Sequence, residues 1–536
     1  MTAGILTGAG AISANGGMGN GFGLTGSGGG GGGRIAVQYG VNLFFGATSA
    51  RGGSGSAWGG AGTIYTIANG QLYGQVLVDN GGQSGTNTSW SALATLDLTV
   101  KGGAVVSLPL SQTIGTLLVA SNGWVSVGNQ ILTVTGNATI QAGGGITADG
   151  KGNPGGVGPG AGRSSSTPSG SIGGGGGYGG YGAVGGAPSG YSANGGNAYG
   201  SVTEPADPGS GGGFYSNPLM GGAGGGAIRL HVTGVLQLDG RISAAGNPGT
   251  APNAGGGSGG TVALTVGTLT GSGVISANGG TGNSLGGGGG GGRIALVCGA
   301  YDFSGGVSAY GGGGYAWGGA GTVYYAKPNS QDPTQVVVDN GGQAGTNTTL
   351  GSVVTGNYDL SVNNGAVLSS PAPLTLGNLL VGSNGWVSLG NQPLTVTGNA
   401  TVQSGGGIIA DGTGNPGGVG QGAGKDYSAG GGGGYGGYGA SGGSATADYG
   451  GVTYGSLTAP QDLGSGGGGY SRTSGPSAVG GAGGGAIRLT VTGLLQVDGR
   501  ISARGLGGAA PSAGGGSGGS ILLTVGSLGG GRTNLG

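Results

Sequence analysis

The chain has few of the residues that carry chemistry. Of its 536 residues, one is Cys, one is His and one is Glu, and charged residues make up 6%, against about 25% in an ordinary soluble domain. A single cysteine excludes a disulfide framework within the chain. The 15 basic and 15 acidic residues cancel, so no basic excess is available for binding nucleic acid.

Long apolar runs are also missing. No stretch reaches the roughly 18 apolar residues that span a membrane, so no membrane insertion is expected in this segment. The N-terminus lacks the basic region and apolar core of a signal peptide, and residues 10–17 match residues 273–280 in mid-chain. We therefore expect a segment of a longer repetitive protein, with any export signal or anchor outside it.

What the chain does have is glycine and repetition. There are 160 glycines, and they come in runs, which excludes the every-third-residue pattern of collagen. QVLVDNGGQSGTNT at residues 75–88 recurs as QVVVDNGGQAGTNT at residues 335–348. Such matches predict two copies of a repeat of about 260 residues. The first copy covers residues 1–266 and begins in mid-repeat, and the second covers residues 267–536.

Between the glycine runs, apolar residues alternate with polar ones. Ile228, Leu230 and Val232 face one way, while Arg229 and His231 face the other, as in half-buried strands. The sequence is therefore predicted to be all-β, with a solenoid, a propeller or a sandwich array as alternatives. We favour a parallel β-helix, because loops of very unequal length separate similar strands and residues 93–148 form a nearly loop-free strand series.

The glycine-rich insertions at residues 150–226 and 412–485 allow two hypotheses. They are either flexible loops or extended polyproline-II-like strands packed side by side. The second arrangement requires glycine, because only a residue without Cβ allows such close approach of backbones.

Catalytic and metal-binding sets are not predicted. His231 and Cys298 are interpreted as structural, since one histidine and one cysteine assemble neither a metal set nor a catalytic triad. Asp149 with Asn153, like the equivalent pair in the second copy, is either a weak oxygen site or a turn built on Asp-Gly and Asn-Pro. Neither an enzyme nor a cofactor is expected.

Aromatic side chains in glycine surroundings are the remaining candidates for function. Flat rings with a polar handle suit stacking on sugar rings or contact with a surface, and the alternative is that they pack within the protein. The candidate contact residues are Tyr178, Tyr181, Tyr435, Tyr438, Trp58 and Trp317.

Two resemblances follow from the strand and glycine segments. LTVTGNATIQAGGGITADG (132–150) and VLQLDGRISAAG (235–246) resemble the rungs of large bacterial surface β-helices, such as filamentous-haemagglutinin-like adhesins and autotransporter passengers. That resemblance implies an exported, surface-attached protein. The glycine runs before an alternating strand, at residues 28–37 and 287–296, are similar to glycine-rich recognition domains of the anaplastic lymphoma kinase receptor family and of phage tail-fibre tips.

The functional prediction is a non-enzymatic structural or adhesin segment, outside the cell or on its surface, that forms a stiff stalk of a larger protein. One alternative is a filament subunit that joins other copies of itself through unpaired terminal strands. The other is a carbohydrate-binding module that captures surface glycans with the tyrosine and tryptophan loops.

Overall fold

A computed structural model describes residues 1–20, 26–90, 95–167, 170–186, 190–214, 220–328, 330–350, 357–443, 449–470 and 479–530. Parts of both glycine-rich insertions lie outside these residues. The described regions contain β-strands and no α-helix, which confirms the all-β prediction. Within them, no helix is long and apolar enough to cross a membrane.

The chain divides into two compact units, Met1–Asp332 and Pro333–Gly536. The sequence repeat has its own boundary at residue 266, inside the first unit. Strands of the first unit are β1 (Thr2–Gly8), β2 (Ala11–Ser13), β3 (Arg34–Phe44), β4 (Ala47–Ser49), β5 (Thr63–Ala68), β6 (Gly74–Asp79), β7 (Asn87–Ser89), β8 (Leu96–Lys101), β9 (Val105–Leu108), β10 (Gln112–Ile114), β11 (Leu117–Val119), β12 (Trp124–Val127), β13 (Ile131–Val134), β14 (Ala138–Ile140), β15 (Gly145–Thr147), β16 (Ser164–Thr167), β17 (Gly170–Gly173), β18 (Gly185–Gly186), β19 (Ser192–Ala193), β20 (Ala227–Leu238), β21 (Arg241–Ser243), β22 (Thr261–Gly271), β23 (Val274–Ser276), β24 (Arg293–Phe303), β25 (Gly306–Ser308) and β26 (Thr322–Ala326). Strands of the second unit are β27 (Thr334–Asp339), β28 (Asn347–Thr348), β29 (Tyr358–Asn363), β30 (Val367–Ser369), β31 (Leu374–Leu376), β32 (Leu379–Val381), β33 (Trp386–Ser388), β34 (Pro393–Val396), β35 (Ala400–Val402), β36 (Gly407–Ile409), β37 (Ala486–Val497), β38 (Arg500–Ser502) and β39 (Ser520–Gly529).

Most strands pair in parallel, and in-register pairing stacks aliphatic side chains into columns. In the first unit, the short strands β9, β12, β15, β21 and β23 follow one another across a sheet. Their central residues are fully buried. This column consists of Val106, Val125, Ile146, Ile242 and Ile275.

Two further columns run through the longer strands of the same unit. Both consist mainly of buried β-branched residues, one ending in a leucine and the other in Cys298. Both pass through β20, whose register shifts between Val232 and Val235. One column consists of Val100, Val119, Ile140 and Leu238, and the other of Ile114, Val134, Val232, Val266 and Cys298. The predicted alternation over residues 228–232 is confirmed, with His231 exposed.

The second unit repeats this arrangement. Leu368, Val387, Ile408 and Ile501 occupy successive short strands in register. Parallel pairing is not universal in the chain, since β5 and β6 of the first unit are antiparallel. Antiparallel pairs also form within the first insertion, between β16 and β17 and between β18 and β19.

Asparagine shapes the corners between strands. Asn122 and Asn384 hold equivalent positions in the two copies and adopt positive φ of 57° and 54°, a left-handed conformation that asparagine tolerates better than most residues. The side chain of Asn137 accepts a hydrogen bond from the amide of Val235 at 2.9 Å. These side chains satisfy backbone groups where the chain changes direction.

Glycine runs form a second layer held by backbone hydrogen bonds. In the run at residues 286–292, the amide donors turn to a new neighbouring segment at each step and return to the first at every third residue. The amides of Gly287 and Gly290 donate to the carbonyl oxygens of Gly173 and Gly176. Those of Gly288 and Gly291 donate to Ala316 and Gly319, and those of Gly289 and Gly292 donate to Gly280 and Ala277. This is the three-residue period of a polyproline-II helix.

The same period recurs in the neighbouring run, at residues 255–260. Its amides donate alternately to residues 210–213, to residues 287–290 and to residues 244–247. The chains approach so closely that a Cβ on Gly289 would overlap the carbonyl oxygen of Gly257. Of the two hypotheses for the insertions, the packed arrangement therefore describes residues 173–180, which are buried throughout. We call these interlocked runs the glycine layer.

The columns predict a sharp contrast between adjacent residues of β22. Leu264 is 1% exposed, whereas Thr265 is exposed. Leu264→Ala should lower the free energy of unfolding by about 2–5 kcal/mol, because it leaves a cavity in a stacked core. Thr265→Ala should change it by no more than about 0.5 kcal/mol. Denaturant unfolding followed by circular dichroism measures both, and equal effects would contradict the assigned strand faces.

Candidate functional site

Tyr178 follows a glycine run and is enclosed by the glycine layer. Its ring is fully buried, and its hydroxyl lies 2.6 Å from Thr261 Oγ1. The Thr261 hydroxyl donates to the carbonyl oxygen of Asp207 at 2.7 Å, so the Tyr178 hydroxyl is the donor to Thr261. Burial raises the pKa of Tyr178 to about 12, although the bond with Thr261 opposes the shift.

Tyr199 packs against Tyr178 and completes an aromatic pocket. The two ring centroids are 4.8 Å apart at an interplanar angle of 54°. The Tyr199 hydroxyl donates to the carbonyl oxygen of Pro208 at 2.6 Å and lies 2.8 Å from Ser210 Oγ. Burial raises the pKa of Tyr199 as well. Both rings are therefore held in place at their hydroxyl ends.

Arg293, the first residue of β24, fills this pocket. Its side chain is completely buried, with Cζ 5.7 Å from the centroid of the Tyr178 ring. Nε donates to the carbonyl oxygen of Tyr199 at 2.8 Å, and Nη1 donates to Thr322 Oγ1 at 3.2 Å. Burial lowers the pKa of Arg293 to about 10. A buried guanidinium is costly unless it is paired, and here a tyrosine face and backbone carbonyl provide the compensation.

An equivalent pocket lies in the second unit. Tyr435 and Tyr454 have ring centroids 4.8 Å apart at 58°, and the Tyr435 hydroxyl lies 2.6 Å from Ser520 Oγ. Beside these two rings lies an open cavity of about 380 Å³. Its lining consists of Tyr435, Gly436, Thr453, Tyr454, Gly455, Ser456, Leu457 and Pro460.

The predicted aromatic contact residues differ widely in exposure. Tyr178 and Tyr435 are buried, so their rings are not available for stacking on a ligand at the surface. Tyr438 is 78% exposed and Trp317 is 39% exposed. Tyr181 and Trp58 are half-buried. Tyr178 and Tyr181 belong to the first unit, and Tyr435 and Tyr438 belong to the second.

The other candidates have structural surroundings. The Asp149 carboxylate accepts hydrogen bonds from Ser243 Oγ and from the amide of Ala245, and lies 3.1 Å from Arg241 Nη2. Asn153 instead donates to the carbonyl oxygen of Gly209, so this pair is part of a turn. Among the described residues, no three His, Cys, Asp or Glu side chains lie together in a metal-binding group.

Three residues of the tyrosine pockets were missed by the sequence analysis: Tyr199, Tyr454 and Arg293. A signal for them exists in the repeat. Tyr-Gly-Ser occurs at Tyr199 and again at Tyr454, and an arginine follows the glycine run at both Arg34 and Arg293.

Comparisons with protein-family models, with curated proteins and with solved structures gave no match.

Burial of Tyr178 predicts a loss of stability at alkaline pH. In the unfolded chain this tyrosine ionises near pH 10, whereas its folded pKa is about 12. Its contribution to stability is therefore complete below pH 10 and is lost as pH rises through 12. Tyr178→Phe should flatten this part of the pH dependence, and Tyr438→Phe, at an exposed tyrosine, should not. Denaturant unfolding at a series of pH values measures this, and parallel curves for Tyr178→Phe and the unaltered chain would contradict it.

Proposed function

We propose that the chain is a non-enzymatic structural segment, a β-solenoid that serves as a stalk or adhesin segment of a surface protein. The observation that carries this proposal is the column of in-register aliphatic residues through Val106, Val125 and Ile146. Within the described residues of the first unit, the short strands β9, β12, β15, β21 and β23 each pair with the strand before and the strand after in this sheet, an order that solenoid repeats share.

The spacing of the strands supports a solenoid. Val125 follows Val106 by 19 residues and precedes Ile146 by 21 residues, yet all three share one column. Between these positions the chain passes through two strands of the longer sheet and returns to the short sheet. This return to the same register supports a coiled path of the chain, and asparagine corners with positive φ, such as Asn122 and Asn384, are compatible with its turns.

The use of polar groups supports a structural role. The pocket hydroxyls, the Asp149 carboxylate and the Arg293 guanidinium all bind partners within the chain. Repeated short strands joined by continuous ladders resist local opening, since each strand is hydrogen-bonded on both edges. The extracellular location rests on the resemblance of the strand segments to bacterial surface β-helices.

Carbohydrate binding and self-assembly are the alternatives. Exposure of the Tyr438 ring, at 78%, is the observation that favours a ligand contact. Tyr427 of the same insertion is also exposed, but its ring already stacks on Tyr449 with centroids 4.6 Å apart, and Tyr435 is buried. The segment that carries Tyr438 is equivalent to residues of the first unit that bind a glycine run, and this match favours self-assembly.

Force applied to the two ends of the full chain tests the solenoid. A solenoid should lengthen in successive steps as strand sets peel away. Each step should release about 20 residues, or roughly 70 Å of extended chain, where sets follow directly as at Val106 and Val125, and more where an insertion separates neighbouring sets. Single-molecule force spectroscopy measures these steps. Release of each compact unit in one large event would contradict the proposal.

A further inference from the structure

The glycine layer of Met1–Asp332 contains an interface between two parts of the repeat. On one side are residues 285–293 with Gly319, and on the other are residues 173–186 of the insertion. Seven backbone hydrogen bonds join them, with N···O distances of 2.8–3.0 Å. They run from Gly179 and Gly180 to Gly291, from Ala183 to Gly288, from Gly186 to Leu285, from Gly287 to Gly173, from Gly290 to Gly176 and from Gly319 to Tyr181.

The first side of this interface recurs near the N-terminus, where it is exposed. Gly28 is equivalent to Gly287 in the repeat, and Gly31 is equivalent to Gly290. Both are exposed, and neither amide donates to a backbone carbonyl in the described part of the chain. A Cβ on Gly28 would meet no atom within 4 Å, whereas on Gly287 it would overlap the carbonyl oxygen of Ala183. We call residues 26–34 with Gly60 the N-terminal glycine face; residues 26–34 are mostly exposed, and Gly60 behind them is buried.

Arg34 belongs to this face and shows the same contrast. It begins β3 as Arg293 begins β24. Arg293 is completely buried against the Tyr178 ring and the carbonyl oxygen of Tyr199, whereas Arg34 is exposed. The difference comes from the neighbouring insertion, which covers Arg293 in the first unit and has no described counterpart over Arg34.

The second side of the interface recurs at residues 430–443, where Gly436, Gly437 and Tyr438 are exposed and the run before them is largely buried. Gly436 and Gly437 are equivalent to Gly179 and Gly180. A Cβ on Gly179 or Gly180 would overlap backbone atoms. A Cβ on Gly436 or Gly437 would meet nothing within 4 Å. Beside them lies the open Tyr435–Tyr454 pocket. We call residues 430–443 with Tyr454 the C-terminal tyrosine face.

We propose that a second copy of the chain docks head to tail, with the N-terminal glycine face of one copy on the C-terminal tyrosine face of the other. Arg34 enters the Tyr435–Tyr454 pocket and donates Nε to the carbonyl oxygen of Tyr454, as Arg293 does with Tyr199. A second copy is the expected partner because the interface inside the first unit joins residues 285–293 to residues 173–186, and these are equivalent to the two exposed faces. This inference rests on that interface and is independent of the stalk function.

Two more amides of the second unit, those of Gly515 and Gly518, are placed to bind the incoming glycine run. In the first unit, Gly256 and Gly259 donate to the carbonyl oxygens of Gly287 and Gly290. Their equivalents, Gly515 and Gly518, are exposed, and their amides donate to no described backbone carbonyl. In the docked pair these two amides face Gly28 and Gly31. Each glycine of the incoming run then gains partners in all three directions, as in residues 286–292.

Docking also requires an exchange of strands. Strand β22 pairs with β24 and places Gly271 opposite Phe303. Strand β1 pairs with β3 in the equivalent register, with Gly8 opposite Phe44. The C-terminal half of β39 is equivalent to β1, so both cannot pair with β3 of the incoming copy. In the described part of the chain β1 pairs with β3 alone, whereas β39 keeps its pairing with β37 while its other edge receives β3 of the incoming copy. We therefore expect β1 to be the strand that leaves. Deletion of residues 1–8 should therefore accelerate association.

Two single substitutions test the docking, because each adds one methyl group to one face. Gly28→Ala should leave the fold intact but place a Cβ against the carbonyl oxygen of Ala440 in the second copy. Gly437→Ala should likewise leave the fold intact and place a Cβ against the carbonyl oxygen of Gly60 in the second copy. The full-length chain should associate into open head-to-tail chains. Each variant alone should weaken association by more than about tenfold, because a packed interface does not accommodate an added methyl group. Sedimentation velocity across a range of concentrations measures this, with Gly128→Ala, at an open glycine outside both faces, as the matched control.

Mixing the two variants gives the decisive result. Gly28→Ala retains an intact tyrosine face and Gly437→Ala retains an intact glycine face, so the mixture should form one-to-one pairs that grow no further. A chain that stays monomeric at all concentrations would overturn the proposal. So would association that neither variant weakens, a mixture that forms no pairs, or a rate of association unchanged by deletion of residues 1–8.

Discussion

The hydrogen bond between glycine backbones at closest approach is the interaction on which the structure depends. It requires that neither chain carry a Cβ on the facing side, as the overlap at Gly289 with Gly257 shows. Through it, residues 173–180 of the insertion become a buried part of the first unit. The same contacts position Tyr178 and Tyr199, which enclose Arg293. Without the glycine layer there would be no tyrosine pocket.

Two kinds of packing are combined in one chain, and their energetics differ. The aliphatic columns gain from burial of side chains, at about 1.5–3 kcal/mol for each fully buried valine or leucine. The glycine layer has only hydrogen bonds, each contributing about 0.5–1.5 kcal/mol net, against a cost of about 0.5–1 kcal/mol for ordering each glycine. These values nearly cancel. The layer is therefore stable as an extension of the strands from which it emerges, such as β22 and β24.

Sequence patterns were sufficient for the strands and insufficient for the layer. Alternation over residues 228–232 predicted which side chains are buried, because a strand has a period of two whatever surrounds it. Burial within the glycine layer has no such local signal. Arg34 and Arg293 follow similar glycine runs, yet one is exposed and the other is completely buried. The difference lies in a distant segment that covers only one of them, and the same applies to Gly437 and Gly180.

Amide hydrogen exchange resolved along residues 173–182 and 286–292 tests the central claim most directly. If backbone hydrogen bonds order the glycine layer, these amides should exchange as slowly as those of the buried strands β20 and β22. Exchange should be faster at Gly28 and Gly31 in the monomer, where the same kind of run is exposed. Rapid exchange throughout residues 173–182 would contradict the account, because it would show that the glycine runs are not held by the bonds that define the layer.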